Sequence, residues 1–196
     1  MSETSLRSFS PLRPEARPIG WRGAAVLIGA ALLAASSFAE VPMVPVPMTM
    51  QTFAVFVIGA LYGWRLGGLT ILVWLAAGAA GLPVLADGTS GIDRFTGATG
   101  GYLIAFPIAG ALTGLLAERG WNGERPVHAL AAMILAHAIC LALGAAWLST
   151  KIGLDRAIEH GVLPFIAGGL VKSALAVAVL MLLARRSSGD RSTDRR

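Results

Sequence analysis

The sequence predicts an all-α, polytopic membrane protein of six transmembrane helices with its N- and C-termini on the cytoplasmic side. Three observations predict it. First, 55% of the 196 residues are hydrophobic, 14% are charged, and the mean hydropathy is +0.69, whereas a soluble domain carries about a quarter charged residues. Second, a bilayer span takes roughly 20 apolar residues, so the chain has room for about six spans with short loops and none for a separate soluble domain. Third, the basic residues are lopsided. With both ends inside, the outer side holds Arg94, Lys151 and Arg156, Lys172 falls within a span, and all other basic residues lie inside. That asymmetry is a positive-inside signal and requires an even number of spans. The net charge of +5 and pI of about 10.3 therefore report orientation, not a nucleic-acid footprint.

Residues 1–20 are polar and proline-bearing, and are expected to form a disordered cytoplasmic tail. Arg7, Arg13, Arg17 and Arg22 precede the first apolar run as a signal n-region would. That run continues into Glu40 and further spans, so it reads as a retained helix. Span one covers residues 21–39. Residues 41–48 contain Pro42, Pro45 and Pro47 and cannot form a regular helix, because proline lacks a donor and restricts its predecessor. The segment is still apolar, so it is expected in or near the membrane, packed against protein. Span two, residues 49–62, is short and is followed by a tight turn at 63–65. Span three covers 66–80, and a Gly-rich, polar outer loop covers 81–99. Span four covers 100–117, a charged turn 118–125, span five 126–148, a polar loop 149–160 and span six 162–184. The membrane domain is thus 21–184, and 185–196 is a basic cytoplasmic tail.

The chemistry concentrates in two places. Residues 97–102, Gly-Ala-Thr-Gly-Gly-Tyr, open span four after a loop of small residues. Glycines there let backbone approach a ligand, and a helix N-terminus suits an acceptor group. A helix cap and close helix crossing explain the same residues equally well. Asp87, Asp93 and Arg94 share that outer loop, either as solvated side chains or as a binding rim with Arg94 facing a carboxylate. Lys172 lies about ten residues into span six, too deep to snorkel, and ionisable residues at such depth are candidates for function. Its two readings are a ligand contact and a lysine bonded to backbone carbonyls of irregular loops. Small residues stripe span one at Ala30, Ala34, Ala31 and Ala35, which suits internal packing or docking of another membrane subunit.

Several chemistries have no signature. The chain has no Gly-x-x-x-x-Gly-Lys-Ser/Thr loop for ATP. His128, His137 and His160 lack zinc-ligand spacing. Ser90 and Ser173 have no evident base partner, so an intramembrane enzyme has little support. The lone Cys140 reads as a small core residue.

Four segments carry a resemblance. Pro45-Val-Pro-Met-Thr-Met-Gln-Thr52, Gly59-x-x-Tyr-Gly-Trp-Arg-Leu-Gly-Gly68, Gly81-Leu-Pro-Val84 and Thr96-Gly-Ala-Thr-Gly-Gly-Tyr-Leu103 resemble the BioY family. These are the biotin-specific S components of energy-coupling factor transporters. The resemblance covers about residues 24–184. It implies a non-enzymatic subunit of the plasma (inner) membrane, with an outward-facing biotin site and no cofactor. Its implied partners are a transmembrane coupling subunit and ATP-binding-cassette ATPases, with no nucleic acid. Residue by residue it points to Asp87, Arg94, Thr99, Gly100, Gly101, Tyr102 and Lys172 for the ligand. Tyr102, Trp64 and Trp74 would pack the bicyclic ring or support its wall, and the span-one alanines would face the coupling subunit. An S component for thiamine or riboflavin is the alternative. The metal-binding versions begin Met-His, whereas this chain begins Met1-Ser2. One departure stands out: many members carry aspartate in span six where this chain has Gly169.

Overall fold

The computed structural model describes residues 18–193, with side chains up to residue 186. Most of the tail expected at 1–20 and the end of that expected at 185–196 lie outside the described residues.

Helix α1 is Ile19–Ser37. It stops two residues short of the expected end, where Ser36 and Ser37 both donate their hydroxyls back to the Leu33 carbonyl, a bond that competes with helix continuation. The proline-rich segment is a small antiparallel hairpin. Strand β1 (Glu40–Val41) pairs with β2 (Met48–Thr49), Glu40 opposite Thr49. The ladder is this short because the prolines between the strands cannot donate to it.

Helix α2, Gln51–Ala79, is broken at Gly63, whose φ is 78°. A Cβ built on Gly67 would lie 3.0 Å from the Gly59 Cα, whereas residues eight apart in a straight helix are separated by about 12 Å. The chain therefore doubles back. The arms 51–62 and 64–79 are spans two and three, with the turn where the sequence places it. Glycine adopts that φ without steric cost, and Glu118 Oε1 accepts the Trp64 N–H across the turn at 3.1 Å.

The outer loop contains a 3₁₀ turn at Ala86–Gly88 and a short helix α3, Asp93–Thr96. Helix α4 is Gly100–Glu118 and α5 is Pro126–Ile152. The expected polar loop at 149–160 is corrected: α5 runs on to Ile152, and an eight-residue helix α6, Leu154–Gly161, follows. Its Leu154, Ala157, Ile158 and Gly161 fall on one helical face and Asp155, Arg156, Glu159 and His160 on the other. An overall polar composition hid an amphipathic element suited to the membrane interface. Helix α7, Leu163–Thr193, continues beyond residue 184, with no proline to stop it.

Five helical segments among the described residues are long and apolar enough to cross a bilayer. With α2 folded on itself they make six spans, and the chain is a multi-pass membrane protein. Leu27, Leu72, Ile108, Leu135 and Leu175 point outward, as lipid-facing side chains should. The interior closes through small residues. A Cβ on Gly59 would collide with the Gly110 carbonyl, and one on Gly114 would meet backbone at Gly63 and Trp64, so α2 and α4 approach backbone to backbone.

Candidate functional site

At one end of the bundle, the hairpin, the loop 81–99 and helices α2, α4, α5 and α7 enclose a cavity of about 650 Å³ including its mouth. The hairpin and the start of α2 supply Val46, Pro47, Thr49, Gln51 and Thr52, and the loop supplies Leu85, Ala86, Thr89 and Arg94. Helix α4 adds Thr99, Tyr102, Leu103 and Phe106, α5 adds His137, Cys140 and Leu141, and α7 adds Phe165 and Lys172. A mostly apolar wall with a few convergent polar groups is the pattern of a small-molecule site.

Lys172 is 7% exposed. It sits nine residues into α7, about 13 Å along the axis at 1.5 Å per residue. Its Nζ donates to the Thr49 carbonyl at 2.7 Å and to Thr52 Oγ1 at 3.3 Å. The reading of a lysine bonded to irregular backbone is thus met, and the same side chain lines the cavity, where a ligand would meet it. Gln51 locks the same corner. Its Nε2 donates to Ser37 Oγ at 2.9 Å and its Oε1 accepts the Thr49 hydroxyl at 3.0 Å, tying the end of α1 to the hairpin and the start of α2. Glu40 and Lys172 line an adjoining recess, and Glu40 Oε2 is buried without a hydrogen-bond partner among the described residues.

The aromatic wall is stacked. Tyr102 and Phe165 lie nearly parallel, 6.2 Å between centroids, and the Tyr102 hydroxyl donates to the Gly161 carbonyl at 2.7 Å. Trp74 is buried behind Phe106 at 6.0 Å and donates its indole N–H to the Val84 carbonyl at 2.8 Å. It supports the wall and fastens the outer loop.

Of the residues expected at the ligand, Arg94, Thr99, Tyr102 and Lys172 line this cavity. Asp87, Gly100 and Gly101 do not. Asp87 lines a separate recess beside the hairpin prolines together with Arg94. A Cβ on Gly101 would overlap Trp147, and one on Gly100 would strike the Phe95 carbonyl. These two glycines are spent on close packing, and Trp147 Nε1 bonds the Gly97 carbonyl at 2.8 Å. Trp64 is 42% exposed at the opposite end, under the Arg65 guanidinium, so it is no part of the ring-packing wall. The span-one alanines divide: Ala31 and Ala35 are exposed, while Ala30 and Ala34 pack partly against the core.

Sequence reasoning passed over Gln51, Thr52 and His137 as cavity residues. The first two lie within a quoted motif and could have been found there. His137 sits in an apolar run with no local signal.

The BioY family model matches residues 13–189. The chain is 38% identical over 165 residues to a probable biotin transporter BioY of Pyrococcus horikoshii, covering 84% of this chain and 94% of that one. It is 41% identical over 180 residues to the biotin transporter BioY of Rhodobacter capsulatus, covering 81% and 90%. Among solved structures it resembles the S component for biotin from an ECF-type ABC transporter, with a TM-score of 0.75 and 25% identity over 87% of this chain and 95% of that one.

Proposed function

The chain belongs to the BioY family, and on that premise we propose that it captures biotin at the outer face of the plasma membrane for uptake. It is a transport subunit and not an enzyme. The energy for uptake comes from a transmembrane coupling protein and ATP-binding-cassette ATPases, and biotin is its ligand, with no cofactor. Ala31 and Ala35, on the open face of α1, are the docking residues for the coupling protein.

The observation that carries this reading is the polarity of the cavity: a guanidinium at the rim, an ammonium at the floor and an apolar, aromatic middle. Biotin has the same order, with a carboxylate on a flexible tail, a thiophane ring and a ureido head. Arg94 is exposed and meets the carboxylate, since an Arg–carboxylate pair is bidentate and strong. An ammonium has three donors. Two of those on Lys172 serve Thr49 and Thr52, leaving the third for the ureido carbonyl. Tyr102 and Phe165 flank the ring system. The hairpin contributes Val46 and Pro47 to the wall and limits water above the bound molecule.

The test is titration of the purified chain with biotin, thiamine and riboflavin. Saturable binding of biotin alone is expected. Binding of either other vitamin in preference, or of none, overturns the reading.

A further inference from the structure

His137 is a cavity residue that neither the resemblance nor the sequence assigned to the ligand, and its setting is specific. It lies on α5, is 7% exposed and lines the cavity. Its ring meets Phe56 edge-on at 5.7 Å. Its Nδ1 is buried with no hydrogen-bond partner among the described residues, and a buried polar group in that state is costly and calls for an explanation. The ring is seated against α7 at Gly169, where a built Cβ would overlap Nε2. Any side chain at 169 would therefore displace the imidazole. Gly169 and Lys172 are three apart on α7 and so lie on one helical face, which puts His137 beside the Lys172 end of the cavity.

Of the other polar side chains that line the cavity at that end, Thr52 and Gln51 are already engaged, and Glu40, whose Oε2 has no hydrogen-bond partner among the described residues, lies in the adjoining recess. Thr52 Oγ1 accepts from Lys172, and both ends of the Gln51 amide are bonded. No carboxylate lines the cavity among the described residues. Lys172 can only donate, so it can serve a carbonyl but not an N–H. A neutral imidazole carries one acceptor nitrogen and one donor.

We propose that His137, admitted to the cavity floor by Gly169, is a specificity-determining ligand contact that accepts a ureido N–H while Lys172 donates to the ureido carbonyl. The proposal rests on the biotin reading above. It explains how the site recognises a ureido edge without a carboxylate on α7: the acceptor comes from α5 instead, into the space a glycine leaves. Gly169 is then a complementary half of the same device.

The experiment measures biotin affinity of the full-length chain and of His137→Phe, His137→Gln and Gly169→Ala. The same set is titrated with a biotin whose ureido nitrogen is methylated. Phe keeps the ring volume and the edge contact with Phe56 but has no acceptor. Losing the bond leaves the ligand donor unpaired, so His137→Phe should weaken biotin binding roughly ten- to a hundredfold. His137→Gln, which keeps an acceptor, should retain most of the affinity, within about threefold. Gly169→Ala should lose affinity by shifting the imidazole. The methylated ligand should bind the parent weakly and lose little more on His137→Phe. Parent-like biotin binding by His137→Phe overturns the proposal, as does equal loss in the Phe and Gln variants, which would make the role one of shape. If the parent itself does not bind biotin, the functional reading fails first, and the two failures are distinguished.

Discussion

Lys172 illustrates what a charge deep in a membrane protein demands. Charged side chains in that setting are expensive unless paired or hydrogen-bonded. Here the partners are a backbone carbonyl and a hydroxyl from the hairpin and the head of α2, so the lysine ties both to α7 while lining the cavity. Lys172→Met keeps the aliphatic stem and removes the ammonium. Its biotin affinity should fall at least about tenfold, and the orphaned Thr49 carbonyl should cost roughly 1–3 kcal/mol. Titration gives the first. Faster amide exchange across residues 40–49 gives the second. Unchanged affinity would remove Lys172 from the ligand contacts.

At the scale of elements, the sharpest device is the reversal at Gly63. Its φ of 78° disfavours any residue with a side chain, and a Cβ there would also collide with the Glu118 carboxylate that caps the turn. Gly63→Ala is therefore penalised twice, by backbone strain of order 1–3 kcal/mol and by loss of the cap. The expected outcome is a lower melting temperature and lower yield of monodisperse protein, read by a thermal-stability assay in detergent. A variant as stable as the parent would show that the two arms of α2 can be joined another way. Helix α6 works differently. Its fold is set by an apolar face of four residues, two of them buried, and it supplies the Gly161 carbonyl that anchors Tyr102.

At the scale of the whole molecule, the proposed capture site and the proposed docking face occupy different surfaces. The cavity lies between the hairpin and the loop 81–99, whereas the open face of α1 presents Ala31 and Ala35 beside Leu27, Ile28 and Leu32. Small residues let another helix approach closely. Ala35→Trp should leave biotin binding by the isolated chain unchanged and reduce both co-purification with the coupling protein and biotin uptake by cells. Uptake at the parental level would place the docking face elsewhere.

The number of spans, the turn at Gly63 and the family are legible along the chain, because each is written locally: in uninterrupted apolar runs, in a glycine between two runs, and in short ordered motifs. The sequence also marked Arg94, Thr99, Tyr102 and Lys172, which do line the cavity. Local patterning left Gly100 and Gly101 open between ligand approach and close packing, and their smallness serves Phe95 and Trp147; it misjudged residues 149–160, where polarity concealed an amphipathic helix. Which groups meet follows from how the helices pack. Lys172 and Thr49 are 123 residues apart, and His137 reaches the floor only because α7 carries a glycine where α5 crosses it. Hydropathy and motif spacing act along the chain, whereas a binding site is a property of packing between distant helices, where the absence of one side chain is what admits another.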